Sequence, residues 1–111
     1  MIAYILGVSY IPYDVPGQKI FKNRKGYHHD LNYPKLIALV AVGGNKVIVC
    51  IGPAMRSALE GRKRIPKKIR DLLINKRPDQ IEVIQKQNEQ GITYYDITDE
   101  SAKQWVLNSL A

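Results

Sequence analysis

At 111 residues and 45% hydrophobic content, the chain has room for one domain around one core and none for a second. A single cysteine excludes an intramolecular disulfide framework, and two histidines beside it are too few for a closed structural zinc site; a reducing, cytoplasmic setting is expected, with no metal or other cofactor. The formal net charge of +7 points toward an anionic partner rather than a membrane. The start MIAYILGVSY lacks the basic segment of a signal peptide, and the longest apolar stretch, LIALVAVGGNKVIVCIG, is broken by Gly43, Gly44, Asn45 and Lys46.

In chain order, IAYILGV (2–8) has the length and composition of a strand. LIALVAV (36–42) and KVIVCI (46–51) flank a Gly-Gly-Asn turn and read as a hairpin. All three runs are apolar at nearly every position, which predicts central strands covered on both faces. Two helices are expected next, PAMRSALE and PKKIRDLLINK, with Pro53 and Pro66 in their first turns and Gly61 closing the first. DQIEVIQK and ITYYDIT form a second, more exposed hairpin around QNEQG. DESAKQWVLNSL closes the chain as an amphipathic helix with Asp99 as N-cap and Ala102, Trp105, Val106, Ser109 and Leu110 on one stripe. The expected fold class is therefore α+β: a single domain over 1–111, with a mainly antiparallel sheet of about five strands, made of two hairpins plus the N-terminal strand, and two or three helices.

Between the first two strands, residues 9–35 read as a long basic loop. It carries Pro12, Pro16 and Pro34 and interleaves Tyr10, Tyr13, Tyr27 and Tyr33 with Lys19, Lys22, Arg24 and Lys25. Rings such as Tyr13, Tyr27 and Tyr33 offer stacking surfaces for bases, while cations such as Arg24 and Lys25 follow phosphates. His28 and His29 in GYHHD are the candidates for acid–base chemistry, because a histidine titrates near neutrality. On an extended segment they point to opposite sides, so too few ligands converge for a metal.

The helical segment 53–77 concentrates the charge. Residues 56–77 hold Arg56, Arg62, Lys63, Arg64, Lys67, Lys68, Arg70, Lys76 and Arg77 against Glu60 and Asp71, a net +7 equal to that of the whole chain, while acidic residues gather after residue 78. At 100° per residue, Ile65, Ile69, Leu72, Leu73 and the stem of Lys76 share one side of the second helix. Lys67, Lys68, Arg70 and Arg77 point elsewhere, with Ile74 among them. A core face and a basic face are thus separable, and such a single-sign field attracts phosphates.

VIVCIGPAMRSALE places Cys50 and Arg56 in a C-x5-R spacing, followed by Ser57, at a strand-to-helix junction. This short stretch resembles the phosphate loop of cysteine-dependent phosphatases, most closely the low-molecular-weight protein tyrosine phosphatases. The resemblance implies Cys50 as thiolate nucleophile, Arg56 as the grip on phosphoryl oxygens and Ser57 as the thiolate's stabiliser. Pro53 departs from the pattern, because it has no N–H to give to a phosphate cradle.

These features lead to a small basic protein that binds a phosphate-rich anion, foremost nucleic acid, through Arg24, Lys25, Arg56, Arg62, Lys63, Arg64, Lys67, Lys68, Arg70 and Arg77. The alternatives are a phosphatase-like enzyme built on Cys50 and Arg56, and a small interaction protein that binds a nucleotide messenger or an acidic protein surface. Sequence does not fix the oligomeric state.

Overall fold

The computed structural model describes residues 1–11, 35–61 and 64–111. Its elements run β1 (Ile2–Ile11), β2 (Lys35–Val42), β3 (Asn45–Cys50), α1 (Gly52–Ala58), α2 (Lys67–Asn75), β4 (Gln80–Gln87), β5 (Thr93–Ile97) and α3 (Asp99–Leu110). The α+β architecture is as the sequence predicts: one five-stranded sheet in which every paired strand is antiparallel, with three helices among the described residues. Gly43 and Gly44, both at positive φ (58° and 82°), make the tight turn of the β2–β3 hairpin, a conformation that suits strand twist and that side chains resist. No helix among the described residues is long and apolar enough to cross a membrane.

The strand order is β3-β2-β1-β4-β5. β1 serves two partners: Ile2, Ala3 and Tyr4 pair with β4, and Tyr4 onward pairs with β2. Ile5 opposes Val40 and Gly7 opposes Leu39, so Leu6 is an extra residue, and this bulge bends β1 and strengthens its twist. The pairings make β3 and β5 parallel, and these outer strands approach each other. The sheet therefore curls into a partly open barrel, with α1 and α2 in the crossover from β3 to β4.

The concave face holds the core. Ala3, Ile5, Ala38, Val40, Val49, Ile81, Val83 and Ile97 point inward from the strands and meet Met55, Leu73, Ala102, Trp105 and Val106 from the helices in one cluster. The expectation that the first three strands are covered on both faces is corrected. Tyr4, Leu6, Leu39 and Ile48 point to the opposite face and are 55%, 46%, 39% and 51% exposed. The outward positions are apolar as well, so the period of two that marks a one-sided strand is hidden in the sequence.

Local boundaries also move. β1 continues to Ile11, which puts Tyr10 in a strand instead of the loop expected over 9–35; residues 12–34 of that loop lie outside the described residues. Thr98, not Asp99, is the N-cap of α3: it leaves β5 extended (φ −69°, ψ 151°), and its hydroxyl accepts from the Ser101 N–H at 3.2 Å. Asp99 opens the helix, where its charge favours the positive end of the dipole. Pro66 is likewise the N-cap of α2 rather than a first-turn residue, whereas Pro53 lies in the first turn of α1 as expected. α1 ends at Ala58, two residues short of the expected Glu60, with Leu59 as C-cap; Gly61 closes it as predicted, its N–H bonding to the Arg56 carbonyl while that of Glu60 bonds to Ser57, the paired closure of a Schellman motif.

Candidate anion-binding surface

The position of α2 is set by its apolar side. Leu73 is fully buried, and Ile65, Ile69 and Ile74 pack partly against the same core, so Ile74, which the helical pattern places among the cations, is a packing residue. The buried indole of Trp105 fixes the far end of the helix by donating to the Leu73 carbonyl at 2.9 Å. A helix held on that side displays the other, and Lys67 and Lys68 are exposed together with Arg64 just before them. Among the described residues no ion pair engages these three; the pairs formed are Lys86 with Asp96, and the N-terminal amine with Glu82.

The first turn of α2 has an unusual electrostatic arrangement. It holds Lys67 and Lys68 and no acidic residue, and Pro66 provides no side-chain cap. Amide N–H groups and the helix dipole already make that end positive, so two lysines there are unfavourable by about 0.3–1 kcal/mol each in the free protein. An anion seated at this end would reverse the sign of that term.

Other cations of the predicted set have structural attachments. The Arg70 guanidinium lies 3.5 Å from the centroid of the Tyr10 ring, a cation–π contact that joins α2 to the end of β1. Arg77, exposed as a residue, donates from Nη1 to the Ile5 carbonyl at 3.0 Å. That carbonyl lies beside the bulge, where strand pairing is locally disrupted. Half-buried Arg56 folds back along α1, its Nη1 3.5 Å from where a Cβ on Gly52 would stand. The sequence gives no signal for these attachments, because each depends on a partner distant in the chain or on the fold of a single turn. Arg62, Lys63, Arg24, Lys25, Tyr13, Tyr27, Tyr33, His28 and His29 lie outside the described residues.

The C-x5-R stretch is mostly helix. Cys50 ends β3, half-buried opposite Ile37, and Gly52–Ala58 is already α1, with the Met55 N–H committed to the Ile51 carbonyl at 3.0 Å. The segment between Cys50 and Arg56 is thus a helical turn, in which amides point along the helix axis; a phosphate cradle needs them to converge on one point. Ser57 opens onto a shallow groove shared with Ala54, Ala58, Asp99 and Lys103, so it faces α3. Among the described residues no group of three histidine, cysteine or acidic side chains is placed to hold a metal ion.

No protein-family model, no curated protein and no solved structure matches this chain.

Proposed function

We propose that this chain binds nucleic acid through the phosphate backbone, with Arg64, Lys67 and Lys68 at the centre of the contact. Arg62 and Lys63 adjoin them in sequence, and Arg56, Arg70 and Arg77 add to the field without leaving their structural attachments. The observation that carries this reading is a pair of exposed lysines, in no ion pair among the described residues, in a first helical turn that has neither a side-chain cap nor an acid of its own. Local stability disfavours that arrangement and phosphate binding favours it. Contacts of this kind position a partner without reading its sequence, so the expected binding is strongly dependent on salt and weakly on base identity. Titration of labelled duplex and single-stranded DNA and RNA at several salt concentrations tests the proposal. Absence of binding to all of them near 50 mM salt, roughly the regime in which phosphate contacts are strongest, refutes it.

A further inference from the structure

We propose that Arg70, laid on the Tyr10 ring, is the group that orients a phosphate of the bound strand, and that Tyr10 is its positioning residue. This deepens the nucleic-acid reading above and rests on it. Two arginines tie α2 to β1: the Arg70 guanidinium stands 3.5 Å from the centroid of Tyr10 near the end of the strand, and Arg77 Nη1 donates to the Ile5 carbonyl at 3.0 Å beside the bulge. Residues seven apart share a side of a helix, so Arg70 and Arg77 both turn toward β1. Lys67, three residues before Arg70, is its exposed neighbour on that side.

The two arginines are used differently. Arg77 commits a donor to a carbonyl, whereas Arg70 gives the ring only its face: among the described residues no hydrogen bond or ion pair engages its in-plane N–H groups. Asp71, next in sequence, is exposed and turned about 100° round the helix from it. Packing does not call for this charge. Leu73, Ile65 and Ile69 and the Trp105 bond already hold α2, and an aliphatic side chain at position 70 would cover the ring as well. What the ring adds is direction. A guanidinium stacked by its face has its plane fixed and its edge left for two oxygens of one phosphate, so it gives up less rotamer freedom on binding than a lone side chain does. Lys67 and Lys68 are point charges on flexible stems and supply attraction without orientation. The ligand group at Arg70 is therefore a phosphodiester, gripped through both of its unbridged oxygens.

The test compares wild type with Arg70→Lys, Tyr10→Leu and Tyr10→Phe in their affinity for labelled single-stranded and duplex DNA and RNA at several salt concentrations, with a thermal melt of each. Arg70→Lys keeps the charge and loses the fork, so affinity should fall by about tenfold while the salt slope stays that of wild type. Tyr10→Leu changes no charge, yet should weaken binding by about threefold, again at constant slope, and Tyr10→Phe should restore what leucine loses. Combined with Arg70→Lys, Tyr10→Leu should add no further loss, because the ring acts only through the guanidinium. A merely structural stack gives another pattern: the Tyr10→Leu melt falls while the affinity of the folded protein does not, and Arg70→Lys binds like wild type. That pattern, or a Tyr10→Phe protein as weak as Tyr10→Leu, overturns the proposal and leaves the lysine contact standing. Should Tyr10→Leu fail to fold, Arg70→Lys and Tyr10→Phe decide alone. Wild type that binds none of the four nucleic acids overturns both readings together.

Discussion

Trp105 closes the C-terminal end of α2 from a different helix: its Nε1 donates to the Leu73 carbonyl at 2.9 Å, with the indole 2% exposed and Leu73 fully buried. The last carbonyls of a helix have no partner within it, and a buried one left unpaired costs about 1–3 kcal/mol. Trp105→Phe keeps an aromatic ring but removes the donor and leaves a void. The expected loss is about 2–4 kcal/mol, on the order of 10 °C or more in Tm, read by thermal and denaturant unfolding. Because this bond holds the basic helix in place, the same variant should also weaken nucleic-acid binding in proportion to its unfolding. A melt unchanged from wild type would remove Trp105 from this role.

Glu60 sits at φ 64°, the only described residue other than glycine with positive φ. It occupies the left-handed position of the Schellman closure of α1, where a side chain costs about 1 kcal/mol and glycine costs none. Glu60→Gly should raise stability by about 0.5–1 kcal/mol, a gain of roughly 2–5 °C, although glycine loosens the unfolded chain and offsets part of the gain. It also removes one of the two acids within residues 56–77, so phosphate affinity should rise modestly. A lower Tm than wild type would contradict the assignment of backbone strain to this residue.

Lys86 and Asp96 are diagonal neighbours across β4 and β5, opposite Tyr94 and Ile84 respectively, with Nζ and Oδ2 3.0 Å apart. The hydrogen bond to Asp96, reinforced by its charge, holds the Lys86 ammonium above the ordinary lysine value. A raised folded-state pKa contributes stability that is complete below the unfolded pKa, near 10.5, and is lost as pH climbs through the folded value. Both side chains are more than a third exposed, so solvent screens the pair to less than about 1 kcal/mol. The stability difference between wild type and Lys86→Met should therefore be small and constant from about pH 6 to 9, then shrink as pH rises past the unfolded value near 10.5. A difference that grows with alkalinity would show that the pair does not titrate in this sense.

Element type was legible in the sequence because apolar runs bounded by turn and cap residues leave little choice. IAYILGV, LIALVAV and KVIVCI could only be strands, and Pro53, Gly61 and Pro66 bracket two helices. Sidedness was not legible. Ala3 and Ile5 are buried while Ile2, Tyr4 and Leu6 are exposed, yet all five are apolar, so hydropathy carried no alternation to read. The bulge at Leu6 was hidden for the same reason, and Thr98 and Asp99 are both good caps that only backbone geometry separates. For the cations, composition located the cluster and helical phase picked out Lys67 and Lys68 as displayed. It could not show that Arg70 stacks on Tyr10 or that Arg77 reaches Ile5, since those partners lie 60 or more residues away in the chain.

Lys67 and Lys68 lie in the first turn of a helix whose core side is anchored by Leu73, so reversing their charge alters the surface field and leaves the packing in place. It also puts acids where the helix dipole prefers them, and the Lys67→Glu, Lys68→Glu protein should be as stable as wild type or more stable by about 1 kcal/mol. Binding should move the opposite way. If about five phosphates are neutralised, the logarithm of the association constant falls against the logarithm of salt with a slope on the order of −4 for duplex and −3 for single strands. The double variant should bind more weakly on every sequence and flatten that slope by about 1.5 to 2. A loss of affinity beside that gain in stability is the signature of charges kept for a ligand, because a merely solvated pair would show the gain without the loss. Equal affinity in the variant and wild type at low salt would mean that this turn of α2 does not contact phosphate.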